Sequence, residues 1–368
     1  HPCRNSMYLD DCSNCAFCFD CKGCRNCLLC TNQRNKEYYI LNEKHTKEEY
    51  QAKLAELNLE SNSALKSVFD IWKKMRIDNG VYRDMYNLNC ENCIGNNIKN
   101  SKNCHYCYNV TDSEDCKYLY DVLDTKDCHD LSYSLYKPAA SYELISTLAM
   151  AFSAFSMASH YNSNVYYCDL TNNSKNLFGC IALNHKEYCI LNKQYTKEEY
   201  ENLVPRIIVH MQKTDEWGHF FPLAICPFGY NETVAQEYVP LSREEVESRG
   251  WKWTDEQKIE KEYMGPNVEV PDHINDVQDD ICDQILICEA SAKPYKIIPQ
   301  ELKFYKERGI PLPKRSPIQR HKDRNDLRNP RALWQRKCSK CQKDVHTSYD
   351  PNRPEKVFCE ACYLDAVR

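Results

Sequence analysis

Small or apolar side chains recur at every third position between Asn89 and Tyr136, a spacing that suits neither an amphipathic helix nor a half-buried strand. Set in rows of twelve, the segment reads SKNCHYCYNVTD from Ser101, SEDCKYLYDVLD from Ser113 and TKDCHDLSYSLY from Thr125. The columns align as Cys104, Cys116 and Cys128, then Cys107, Leu119 and Leu131, then Val110, Val122 and Ser134. A twelve-residue coil that turns every third side chain inward is what a narrow β-solenoid requires: its thin interior takes Cys, Ser, Thr and Val, and Asn and Asp serve the turns. Successive coils then stack at the inter-strand spacing of about 4.8 Å.

A one-residue shift near Lys137 to Ala140 carries the register onward through Ser141, Leu144 and Thr147, then Ser153, Ser156 and Ser159, then Val165, Cys168 and Thr171, then Leu177, Cys180 and Leu183. At the amino end Cys12, Cys15 and Cys18 lie over Cys24, Cys27 and Cys30 by the same rule. Two solenoid blocks follow. The stretch LISTLAMAFSAFSMAS from Leu144 pulls the other way, because Ala, Leu and Met favour helix and third-position spacing is also helical.

A longer duplication supports the division: CTNQRNKEYYILNEKHTKEEY from Cys30 matches CIALNHKEYCILNKQYTKEEY from Cys180. In each copy a Thr, Thr46 or Thr196, stands three residues before a Glu, Glu49 or Glu199, the capping-box spacing that starts a helix. Each block is therefore expected to end in a strand and a helix that covers its open edge. Leu65, Val68, Phe69 and Trp72 predict an amphipathic connector helix from about Ser61 to Asp78, stopped by Gly80. The expected fold is mainly β: cysteine-rich β-solenoid blocks with capping helices, plus a C-terminal zinc ribbon. Its units are a first block over 1–58, a connector over 59–82 and a second block over 83–210. An irregular aromatic segment over 211–264, a degenerate ribbon-like unit over 265–333 and the ribbon itself over 334–368 complete the chain.

Composition adds the metal chemistry. The 24 Cys and 26 Tyr against 11 Phe depart far from globular usage. The tail CSKCQKDVHTSYDPNRPEKVFCEACY presents Cys338 with Cys341 and Cys359 with Cys362, two CxxC pairs separated by 17 residues. Two such turns offer four thiolates to one tetrahedral zinc, with VHTSY and EKVF expected to form the hairpin that joins them. Four sulfurs leave no position for water, so one structural zinc is the expected cofactor; paired disulfides or free thiols are the competing reading. Upstream, Cys288, Ser291, Ser316 and Gln319 hold the corresponding places with one sulfur among them, so Tyr295, Ile297, Leu302 and Tyr305 are expected to hold that unit by packing. For the cysteines of the blocks, reduced filler, a disulfide ladder and further metal sites all stay open.

The net charge of −5 conceals a step: residues 255–290 contain 11 acidic and 2 basic side chains, whereas 293–337 contain 14 basic and 4 acidic. Lys314, Arg315, Arg320, Lys322, Arg324, Arg328, Arg331 and Arg336 directly precede or enter the ribbon, a placement that suits phosphate contact. An internal clasp onto the acidic stretch or a solvated helix face accounts for the same residues. No Walker loop, GxSxG, HExxH or Gly-rich dinucleotide turn is present, and His210, Asp215 and His219 near Cys226 lack a motif that would fix a base on that thiol. No signal-peptide pattern or membrane-length apolar run occurs, so a cytoplasmic chain is expected. The start at His1, directly before a cysteine run, implies missing upstream residues, and a removed leader stays open.

The NC-rich rows, the KEYxILNxxxTKEEY unit, FGYNETVAQEYVPLSREEVESRGWKW, ELKFYKERGIPLP, RNPRALWQRKC and the final ribbon, in this order, resemble a group of uncharacterised cysteine-rich zinc-ribbon and repeat proteins of candidate-phyla-radiation (Patescibacteria) bacteria. That resemblance implies organisation and no established activity. It also implies a further ribbon before the rows and a complete second cysteine set, from which Ser291, Ser316 and Gln319 depart. The functional expectation is a non-enzymatic zinc-containing binding or scaffold protein, with a protein partner and no identified small-molecule substrate or membrane. Nucleic-acid binding through the basic C-terminal region is the alternative.

Overall fold

A computed structural model describes residues 3–255, 265 and 268–367. Strands dominate its secondary structure, with eight α-helices among the described residues. The largest sheet runs in chain order from Ile94–Lys99 to Lys193–Gln194, ten strands, all parallel except the last pair. Cys104 lies opposite Cys116, Val110 opposite Val122 and Leu119 opposite Leu131, each twelve residues on. Cys128 then faces Ser141 and Leu131 faces Leu144, an offset of thirteen, after which Leu144–Ser156 and Val165–Leu177 return to twelve. The extra residue sits where consecutive Tyr136 and Lys137 both have positive φ. The stretch from Leu144 is extended rather than helical, in strands Ala139–Ile145 and Ala154–Met157, because its small side chains fill the same buried columns.

Local conformation explains the spacing. Two residues after each inward side chain the backbone passes through the left-handed region, as at Tyr106, Asn109, Asp112, Asp115 and Tyr118, with φ between 54° and 57°. This conformation costs a residue with a Cβ about 1–2 kcal/mol and is worst for β-branched side chains. Among the described residues no Val, Ile or Thr adopts it. Stacking offsets part of the cost. The Asn97 amide donates to Asn109 at 2.9 Å and Asn109 to Asp121 at 2.7 Å, and the Tyr106 and Tyr118 rings stack at 5.5 Å. Gly95 marks a bulge where a Cβ would lie 1.9 Å from the Cys107 carbonyl oxygen.

The first block repeats the pattern, with Met7–Asp10 parallel to Phe19–Lys22 and Arg25–Leu28 parallel to Glu37–Ile40, again at offsets of twelve. Cys15, Cys18, Cys21, Cys24, Cys27 and Cys30 form its interior. Each block closes with a short antiparallel strand and a helix, Lys47–Glu56 in one and Lys197–Lys213 in the other, and both capping boxes are made. The connector helix Asn62–Asp78, N-capped by Ser61, buries Val68 and Trp72 and lays Leu65 and Phe69 against Phe17, Leu28, Leu29 and Ile40 of the first block.

Beyond the second block the chain has only short helical turns as far as Ser248, with Leu223, Ile225 and Phe228 exposed. The boundary expected after residue 264 falls outside the described residues. Downstream, Tyr295, Ile297, Leu302 and Tyr305 share one core with Ile274, Leu286 and Leu312. No helix of the described residues is long and apolar enough to cross a membrane.

Candidate metal centre

Strands Trp334–Lys337 and Asp344–Thr347 form an antiparallel hairpin whose turn carries the first cysteine pair. The Gln342 N–H donates to the Cys338 carbonyl at 3.0 Å, and Gln342 takes a positive φ, which folds the turn back over the sulfurs. The second pair lies at a helix start: Cys359 is the N-cap of Glu360–Ala366, and Cys362 follows in the first turn. The expected hairpin between VHTSY and EKVF does not form. Lys356–Phe358 instead pairs in parallel with Val81–Arg83, a strand just after the connector helix. The reason is contact: the Lys356–Phe358 strand closes over a core that the first block supplies, described below.

The four sulfurs of Cys338, Cys341, Cys359 and Cys362 lie within 4.8 Å of one another, the one cluster among the described residues able to hold a metal ion. Cys341 and Cys359 sulfurs approach to 3.7 Å. Backbone N–H groups of Cys341 and Cys359 donate to the Cys338 sulfur at 3.5 and 3.3 Å. Burial works against a Cys338 thiolate, but these donors and the Lys340 N–H outweigh it and hold the thiol down at about 6. Burial, and hydrogen bonding to the neighbouring sulfurs, push Cys362 up to about 12. Four thiolates this close together would need a cation among them, and the four sulfurs converge as metal ligands do, so the set fits a metal ion such as zinc.

The centre is not an isolated tail. Phe19 of the first block packs on Tyr82 at 4.7 Å and Tyr82 on Tyr349 at 5.2 Å, in one core with Cys338, Val357 and Cys359. The Tyr363 hydroxyl, one residue after the last ligand, donates to the buried Asp20 carboxylate and accepts from Arg34 at 2.6 Å. Asn32 exchanges two hydrogen bonds with the Val81 backbone, each of 2.9 Å. Arg331 pairs with Asp121 of the second block and lies 3.8 Å over the Tyr238 ring. None of these long-range contacts has a sequence signal beyond the polar residues Asp20 and Asn32 at corner positions, the first buried and the second half-buried.

The upstream unit copies the backbone of the centre with one of its four sulfurs, Cys288. The Ala292 N–H donates to the Cys288 carbonyl at 2.9 Å with Ala292 at positive φ, as Gln342 does to Cys338. Ser316 N-caps Pro317–Asn325 as Cys359 caps its helix, and Gln319 donates its N–H to Ser316. Burial opposes ionisation of Cys288, but the Ser291 hydroxyl and the N–H groups of Ser316, Ser291 and Ala290 lower it to about 6.

In the blocks every cysteine is a free thiol, and most are buried. Cys15 donates to the Ser13 and Cys24 carbonyls at 3.4 and 3.5 Å, and Cys18 to those of Ala16 and Cys27 at 3.3 and 3.5 Å. Cys21, which the column reading passed over, occupies the fourth inward position of the same coil. It was legible as the third residue after Cys18.

Of the eight basic residues singled out, four are ion-paired within the chain: Arg315 with Glu289 and Asp323, Arg320 with Glu301, Arg328 with Glu237, and Arg331 with Asp121. Arg336 donates to the Asp350 and Glu355 carbonyls. Lys314, Lys322 and Arg324 have no carboxylate within 4.0 Å among the described residues. Internal contacts thus engage five of the eight. No family model matches the chain, and no curated protein matches it.

Proposed function

We propose that this chain is a non-enzymatic scaffold or binding protein in which two narrow β-solenoid blocks are fixed relative to one another by a C-terminal ribbon folded on one zinc ion. The observation that carries the reading is the shared core: Phe19 of the first block, Tyr82 after the connector helix and the ligands Cys338 and Cys359 pack together. Arg331, beside the ribbon, reaches the second block at Asp121. Four thiolates are a soft, tetrahedral donor set of the kind zinc favours, and they leave no coordination position for water, which fits a structural role. The offset of twelve, the buried small columns and the left-handed corners support the solenoid architecture.

Partner binding is assigned to the outer faces. Tyr106, Tyr136, Phe152 and Tyr161 stand exposed at corners whose backbone is fixed, and rigid aromatic side chains give contact area at low entropy cost. A protein partner is favoured. The nucleic-acid alternative rests on Lys314, Lys322 and Arg324 alone, which gives it a small phosphate footprint.

Elemental analysis with a thiol count under denaturing conditions tests the proposal. One zinc per chain is expected, and its chelation should free the ribbon and expose residues 334–367 to protease. A folded, metal-free chain with the ribbon still protected would end it. Copurifying nucleic acid that is lost on reversing the charge of Lys322 and Arg324 would favour the alternative.

A further inference from the structure

The two blocks share the duplicated stretch Cys30–Tyr50 and Cys180–Tyr200 and, upstream of it, the same register, so each supplies a reference for the other. The column Arg4, Ala16, Leu28, Ile40 of the first block corresponds to Ala154, Tyr166, Phe178, Ile190 of the second, with the same parallel pairing in both. In the second block Tyr166 fills its place and packs with Phe178 and Trp217, at centroid distances of 6.4 and 6.1 Å. In the first block Ala16 leaves that volume empty. A cavity of about 600 Å³ opens there, floored by Phe17, Tyr38 and Tyr50 and walled by Leu54, Leu65 and Ile310.

The charges differ in the same sense. Lys197 of the second block pairs with Glu201 at 3.8 Å, one helical turn on. Its counterpart Lys47 is followed at that distance by Gln51 and has no carboxylate within 4.0 Å among the described residues. Among the described residues the side chain of Arg4, where the second block has Ala154, makes only a 3.4 Å hydrogen bond, to the Arg308 carbonyl. Both cations line the cavity. Three departures from the other copy, a lost ring, a lost carboxylate and a gained guanidinium, therefore fall on one cavity and leave it apolar inside with unmatched positive charge at its rim. The cleft of the second block lies elsewhere, along Tyr167, Gly179 and Met211, and carries Asp215 and Glu216 instead.

We infer that the first block binds an amphipathic organic anion, an aromatic carboxylate whose ring occupies the place of the Tyr166 side chain and whose carboxylate meets Arg4 and Lys47. The size is within the range of small-molecule sites, and convergent polar groups around an apolar cavity are what orients such ligands. A neutral ring of the same shape would fill the space and leave the cations without a partner, so affinity and selectivity come from different residues. The inference is independent of the zinc ribbon, whose ligands lie outside the cavity.

The test uses the full chain with 8-anilinonaphthalene-1-sulfonate as fluorescent probe, displaced by indole-3-acetate and by its neutral amide. One saturable site is expected, with the acid displacing the probe about tenfold or more better than the amide. Ala16→Tyr, which copies the second block, should abolish that site at unchanged melting temperature. Lys47→Glu, on an exposed helix position, should weaken acid binding by a similar factor and leave the amide unaffected, and Lys197→Glu should change neither. Equal displacement by acid and amide, undiminished binding in a folded Ala16→Tyr or Lys47→Glu chain, or no saturable site would each overturn the inference.

Discussion

The hydroxyls of Ser134 and Thr147 meet at 2.8 Å in the interior of the second block, thirteen residues apart where the strand pairs on either side are offset by twelve. Both side chains are fully buried, so neither has water as a substitute partner. Ser134→Ala should cost about 1–3 kcal/mol, because the Thr147 hydroxyl keeps its desolvation penalty and loses its partner. Adding Thr147→Val should recover most of that loss, since an apolar pair of the same shape needs no partner. Urea denaturation of the two variants checks the pair; equal stabilities would place the Thr147 hydroxyl in contact with something else.

The corners predict a substitution rule. Asp127 turns at φ 53° with its side chain exposed. Asp127→Val should destabilise by about 1–2 kcal/mol, because a β-branched side chain is least tolerated in the left-handed region, whereas Asp127→Gly should be neutral or slightly stabilising. A Val variant as stable as the Gly variant would show that the corner relaxes.

The columns, the one-residue shift, both capping boxes and the connector helix could be read from the chain because each is set within about a dozen residues. The third-position rule that locates inward residues also locates the corners, but only the Asn and Asp corners announce themselves; Tyr106, Phe155 and Leu170 do not have turn chemistry. The cysteine quartet was legible from spacing alone. Its surroundings were not: a parallel pair between Val81–Arg83 and Lys356–Phe358 joins segments more than 270 residues apart, and three-residue strands carry too little pattern to choose a partner. The misassigned hairpin follows from this, since the nearer strand was the default.

Removing a ligand should separate the two roles of the ribbon. Cys359 is both a sulfur of the quartet and the N-cap of the last helix, which carries Tyr363 to Asp20 and Arg34. Cys359→Ser takes away a thiolate and puts a good N-cap hydroxyl at the helix start, so it does not weaken the cap. Loss of zinc from the variant, together with protease cleavage within 334–367 and slower cleavage within 87–190, is the expected pattern. Simultaneous unfolding of the second block would mean that the ribbon is needed for that block to fold.

The upstream unit should accept a metal once its ligands are supplied. Ala292 and Ser316 already place the turn and the helix start as Gln342 and Cys359 do. The triple variant Ser291→Cys, Ser316→Cys, Gln319→Cys should therefore bind one further equivalent of zinc, read by elemental analysis against the unsubstituted chain. No gain would show that the two backbones differ in the separation of their halves.

Asp20 gives the junction a pH dependence of definite sign. Burial is the largest influence on its carboxyl and raises it above its ordinary value, against the pull of Arg34, Tyr363 and Asn32. A carboxyl raised on folding binds its proton more tightly in the folded chain. Its contribution is thus fully present below the ordinary value, about 3.9, and is lost as the pH rises through the raised one. Asp20→Asn removes this titration and keeps an acceptor for Arg34 and Tyr363. The melting temperature of the unsubstituted chain minus that of Asp20→Asn should therefore fall as the pH rises above the ordinary carboxyl value, all other titrations cancelling in the difference. A difference that rises over this window would mean that the Arg34 ion pair outweighs the burial of Asp20.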